Sequence, residues 1–191
     1  MIDFTAMPSP AIHSVTLMRH PESRSAAVRN ISARVCSESD GTLAITYSIE
    51  GDPARLRVPP LRTPVIAHGL WQHTCCECFI ALKGKPGYHE FNFAPSSEWC
   101  AYAFAKYREG GALADATLNP GIAVRSLAKR LELDASIPLD RLTAIHPHAS
   151  LALALSAVIE DKHGDLSYWA LKHAPGKPDF HHPDSFVLEL E

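Results

Sequence analysis

Between residues 74 and 104 the chain reads as three strand-length runs, 74–82, 88–93 and 99–104, separated by turns of five residues at 83–87 and 94–98. Connections that short join antiparallel neighbours, because a parallel pair needs a crossover of a dozen residues or more. The same punctuation recurs along the chain. Residues 13–19 place Val15 and Leu17 on one face and are expected at a sheet edge. Residues 24–34 fit a short helix or the approach to a strand. Residues 30–37 alternate Ile31, Ala33 and Val35 with polar partners, and Asp40-Gly41 then turns the chain into 43–49, a hairpin signal. A short strand is expected at 55–58 inside a proline-rich extended loop over 51–68, and a turn at Glu109-Gly110-Gly111. Residues 121–133 read as one strand, with a helical alternative because AVRSLAKRLEL also matches a 3.6-residue period. The run SLALALSAVI at 150–159 is apolar on both faces, as a covered central strand requires, although by composition alone it fits a buried helix equally. A turn at 162–165 and a run at 166–173 complete a hairpin. After a Pro- and His-rich loop over 174–184, Phe186, Leu188 and Leu190 alternate as a last strand.

Most of the fifteen prolines fall between these runs, where they end strands instead of interrupting them. About nine short strands predict an all-β, antiparallel two-sheet β-sandwich with at most one or two short helices. At 191 residues, 46% of them hydrophobic and 20% charged, one core suffices: residues 1–11 read as an N-terminal extension and 12–191 as a single domain.

The formal net charge of −3 offers no general attraction to nucleic-acid phosphate or to an anionic membrane, so neither is an expected partner. The N-terminus lacks a basic segment followed by an apolar one, and no apolar run of spanning length follows, so the expected location is cytoplasmic. Five cysteines, an odd number, are expected to stay reduced.

Period-two geometry puts Glu77 on the face opposite Cys76 and Cys78, and puts Tyr88, Glu90 and Asn92 together on one face of the next run. Carboxylates and an amide on adjacent strands can hydrogen-bond vicinal hydroxyls. The aromatic rings of Trp71, Tyr88 and Trp99 would pack on the apolar C–H face of a sugar ring. The candidate ligand-binding set is therefore Trp71, Glu77, Tyr88, Glu90, Asn92 and Trp99, and the expected ligand is a carbohydrate-like small molecule. The same residues read equally as solvated outer-face side chains and core tryptophans.

Other chemistry is less well supplied. The Cys75-Cys76-Glu77-Cys78 cluster does not match the spacing of a tetrahedral zinc site and reads as small buried side chains. His146, His148, His181 and His182, with His173, could converge at one end of the sandwich and hold a transition metal or haem iron, but Asp179 and Asp184 beside His181-His182 equally suit loop-closing hydrogen bonds. There is no G-x-S-x-G and no glycine-rich phosphate loop. Glu77 and Glu90 would serve as a glycosidase pair only in a deep cleft. No catalytic residues are assigned and no cofactor is expected. An enzyme or metal protein using the terminal-loop histidines and a plain protein-interaction module stand as alternatives; oligomeric state is not encoded legibly.

The strings LWQHTCCECFIALKG and YHEFNFAPSSEWCAYAF, then Tyr107-Arg108-Glu109-Gly110 and, much later, YWALKHAPGKPDFHHPDSF, resemble bacterial DOMON-like proteins, which look related to the wider DOMON and family 9 carbohydrate-binding-module superfamily. The resemblance covers most of 12–190. It implies a β-sandwich that binds sugar or haem on one sheet face, with Trp71, Glu77, Glu90 and Asn92 at the sugar positions. The arginines it also implies on the second of those strands are absent from 88–93, and the Met expected for haem is absent from the matching strands.

Overall fold

A computed structural model of the chain describes residues 11–142, 145 and 149–191. Among them are twelve strands: β1 (Ile12–Arg19), β2 (Val28–Ser37), β3 (Thr42–Gly51), β4 (Cys75–Leu82), β5 (Tyr88–Phe93), β6 (Trp99–Lys106), β7 (Glu109–Leu113), β8 (Gly121–Leu127), β9 (Arg130–Pro138), β10 (Leu151–Glu160), β11 (Leu166–Ala170) and β12 (Leu188–Leu190). The helical residues form three-residue 3₁₀ turns. One sheet runs β1-β2-β3-β9-β8. The other runs β7-β6-β5-β4-β10-β11, with β12 beside the start of β10. The twelve strands pair with one another antiparallel, as the short connections predict, and Ile66 of the β3–β4 connection adds a single parallel bridge to Trp99.

The first strand is an edge of its sheet, as expected, yet it also ties the layers together. Residues 12–17 pair with β2, while Met18 and Arg19 cross over to pair with Ala170 and Trp169 of β11. Between the layers, Leu43, Ile45, Tyr47 and Ile49 of β3 meet a wall made of Cys76, Cys78, Ile80, Phe91, Phe93 and Trp99. Burying each large side chain there contributes roughly 1.5–3 kcal/mol before chain entropy is set against it. The Tyr47 hydroxyl spans the core and donates to the Glu77 backbone carbonyl at 2.7 Å. This bond fixes the height of Glu77 from behind, and it satisfies a polar group that would otherwise be costly to bury.

Three local expectations are corrected. Residues 121–133 are not one strand but parts of a hairpin that reverses at Ala128-Lys129: Leu131 and Leu133, level with Ile49 and Tyr47 of β3, fill the core, while the more exposed β8 pairs along the far side of β9. Residues 55–58 form no strand: Asp52 caps a 3₁₀ turn over Pro53–Arg55 by accepting from the Ala54 N–H, and Leu56 makes a single bridge to Asp161. Glu109-Gly110-Gly111 is not a turn but the start of β7. The reversal comes earlier, at Tyr107-Arg108, where Arg108 itself takes the left-handed conformation with φ 54°. Gly110 serves close approach instead, since a Cβ there would lie 2.0 Å from the Ala103 carbonyl oxygen.

Candidate functional site

β4 is buried on both faces, which a sandwich edge-on to water would not require. Its outer face carries Cys75, Glu77 and Phe79. Beside it stand Tyr88, Glu90 and Asn92 of β5, then Cys100, Tyr102 and Phe104 of β6. Glu77 lies opposite Asn92 on one side and Ser156 of β10 on the other, while Glu90 lies between Phe79 and Tyr102. Two irregular segments rise over this face. At one end the 3₁₀ turn Leu70–Gln72, started by Gly69 at φ 77°, presents Trp71. At the other, the loop after β11 lays Phe180 and Phe186 over a small apolar cluster of Phe79, Ala81, Tyr88 and Ala154. Between them opens a cleft of about 420 Å³. Its walls are aromatic, with Trp71, Tyr102, Phe104, Tyr168 and Phe180, and its polar groups are Glu77, Glu90, Arg108 and His181.

Trp71 is 41% exposed and meets Tyr102 edge to face, ring centroids 5.8 Å apart. Its turn is held by Glu160, a buried carboxylate that accepts from Arg57 at 2.7 Å and pairs with His73 Nδ1 at 2.8 Å. The floor is held by side-chain hydrogen bonds along β5 and from β4 to β5. The Asn92 amide donates to Glu90 Oε1 at 2.7 Å, and the Cys75 thiol donates to the Asn92 oxygen at 3.6 Å. Asn92 is fully buried, so its two partners fix its orientation.

Burial, and secondly the Glu90 carboxylate, raise Glu77 well above the usual carboxylate range, with Ser156 acting in the opposite direction. Glu77 is 3% exposed, and its Oε1, like the Ser156 hydroxyl, has no formed hydrogen bond. Burial also raises Glu90, against the opposing effects of Asn92 and Arg108. Arg108 reaches the cleft from the β6–β7 turn, but Asp179 claims its charge: the guanidinium donates to Oδ1 at 2.8 Å and the Tyr107 hydroxyl donates to Oδ2 at 2.7 Å. His181 Nδ1 pairs with the Tyr88 hydroxyl at 2.9 Å, and that hydroxyl also accepts the Arg108 N–H at 3.1 Å. Burial, then the nearby Arg108 charge, lower His181 to about 4. At neutral pH its imidazole is uncharged, with Nε2 3.7 Å from Glu90 Oε2.

Of the residues singled out from sequence, Trp71, Glu77 and Glu90 line one cleft and Asn92 lies beneath them, but Tyr88 does not line it: its ring is buried in the apolar cluster with Phe79, and only its hydroxyl reaches His181, which does. Trp99 does not belong with them. Counting by twos along β6 places Trp99 with Ala101 in the inter-sheet core, 2% exposed, and turns Cys100, Tyr102 and Phe104 outward. Tyr102 is therefore the aromatic partner of Trp71. That alternation could have identified Tyr102 and Phe104; nothing local marks Arg108, Tyr168 or Phe180. Among the histidines, His181 joins the cleft, while His182 Nδ1 accepts the Asp184 N–H and ties down the loop. His146 and His148 lie outside the described residues. Among the described residues no three His, Cys, Asp or Glu side chains cluster as a metal site. Cys76 and Cys78 are core residues, whereas Cys75 and Cys100 underlie the cleft.

No protein-family model and no curated protein matches the sequence. The sandwich nonetheless has a solved counterpart. A candidate carbohydrate-binding protein from Bacteroides uniformis superposes with a TM-score of 0.66 at 14% identity, over 92% of this chain and 84% of that one. This likeness establishes the fold. Two structures of a family 9 carbohydrate-binding module from Caldicellulosiruptor kristjanssonii align more loosely. The glucose complex gives a TM-score of 0.46 at 12% identity over 77% of this chain and 69% of that one. The cellotriose complex gives 0.48 at 14% over 85% and 75%.

Proposed function

We propose that the protein is a carbohydrate-binding module that holds a sugar on the outer face of its second sheet without turning it over. The observation that carries this reading is the pairing of an aromatic wall, Trp71 with Tyr102, and a floor of buried carboxyl and amide groups, Glu77, Glu90 and Asn92, across adjacent strands. A sugar ring needs both surfaces: a flat apolar one for its C–H face and a row of fixed donors and acceptors for its hydroxyls. Glu77 and Glu90 set carboxyl oxygens against those hydroxyls. The description of the Bacteroides uniformis protein as carbohydrate-binding supports the same reading.

The free thiols of all five cysteines suit a reducing compartment, and we place the protein in the cytoplasm. Titration with a panel of mono- and disaccharides, followed by tryptophan fluorescence, tests the reading. A saturable change is expected for at least one sugar and should vanish in Trp71→Ala. No saturable response to any sugar, with Trp71→Ala indistinguishable from the parent, refutes it.

A further inference from the structure

The charges in the cleft do not balance. Glu77 Oε1 is buried with no hydrogen-bond partner. Glu90 spends Oε1 on Asn92, and its Oε2 has only the uncharged His181 ring, 3.7 Å away. The cation lining the cleft, Arg108, is already neutralised by Asp179. A buried carboxylate without a matched positive charge is costly, and the complement it favours is a cation that also donates hydrogen bonds. The walls favour the same partner, because Trp71, Tyr102, Phe104, Tyr168 and Phe180 offer aromatic surface to an ammonium group at close range.

We propose that the preferred ligand of this cleft is a hexose bearing a free primary amine, its ammonium group set against Glu90 Oε2 and Glu77 Oε1 and its ring against Trp71 and Tyr102. This rests on the carbohydrate reading above and narrows it to a substrate class. An N-acetylated sugar, which carries no charge, gains nothing from the unpaired oxygens. An acidic sugar is disfavoured, since its carboxylate would face Glu90 while Arg108 remains engaged with Asp179.

Isothermal titration at neutral pH with glucose, galactose and mannose, their 2-amino counterparts and the N-acetyl forms of those amines tests the proposal. Charge-assisted pairing predicts amino sugars binding about ten- to hundredfold more tightly than the matching neutral sugars. Glu90→Gln keeps an acceptor for Asn92 but removes the charge, and should erase that preference, so that amino and neutral sugars bind the variant alike; Glu77→Gln should reduce it. If amino and neutral sugars bind the parent protein equally, the amine preference is wrong and the carbohydrate reading survives. If no sugar of either kind binds, both fall. The parent comparison decides even if a variant does not fold.

Discussion

His181 Nδ1 pairs with the Tyr88 hydroxyl, and the side chain enters the fold uncharged. Its folded pKa, about 4, lies below the ordinary 6.5. A base depressed in this way contributes stability that is complete above 6.5 and is lost as pH falls towards 4, because the unfolded chain takes up the proton first. Thermal melts should therefore show the melting temperature dropping across that interval. His181→Gln, which keeps a polar contact but cannot titrate, should flatten the drop; parallel curves for the two proteins would contradict the assignment. The carboxyl groups act in the other direction. Glu77 and Glu90 are raised by burial, so their contribution is lost as pH climbs above the usual carboxylate range. At residue scale the sequence is informative about which side chains share a strand face: Glu77, Glu90 and Asn92 follow from counting by twos. It misleads at Trp99, whose large aromatic ring resembles a sugar platform while the same count assigns it to the core.

The elements that complete the cleft are the irregular ones. The long connection from β3 to β4 is held by Glu160, through Arg57 and His73, and by backbone bonds from Ala67 to Trp99 and from Arg62 to Ser96. Glu160→Ala would leave Arg57 and His73 unpaired and the connection partly released. We expect a loss of about 0.5–1.5 kcal/mol in urea unfolding, the net worth of an ordinary hydrogen bond, since the released Arg57 and His73 side chains are exposed and can be hydrated. Faster tryptic cleavage at Arg62 and weaker sugar binding should accompany it, although Glu160 does not line the cleft. Unchanged cleavage and affinity would show that Trp71 is positioned some other way. The strands of this region are legible because alternation is local, and so is the β10–β11 hairpin. The β6–β7 turn is not: two glycines at 110 and 111 resemble a reversal, yet Gly110 is there to let two backbones touch, and Arg108 makes the turn.

Across the whole molecule, the two-sheet plan is the part most plainly written in the sequence, since proline punctuation and period-two runs leave few other architectures. The site is only half written there. Its floor comes from one contiguous stretch, but Arg108, Phe180 and His181 arrive from separate turns and loops, and only tertiary packing brings them to β4 and β5. The same packing joins the layers, through the crossing of β1 and the Tyr47–Glu77 hydrogen bond, so the cleft floor is braced from the core side. In the proposed function this outer face receives the ligand. Backbone amide and tryptophan indole chemical shifts recorded during a titration with the tightest-binding sugar of the panel test it most directly. The perturbed signals should map to Trp71, Glu77, Glu90, Tyr102, Arg108 and His181. Perturbations gathered instead around Asp40, Leu139 and Leu190, in the separate depression at the far end of the sandwich, would contradict it.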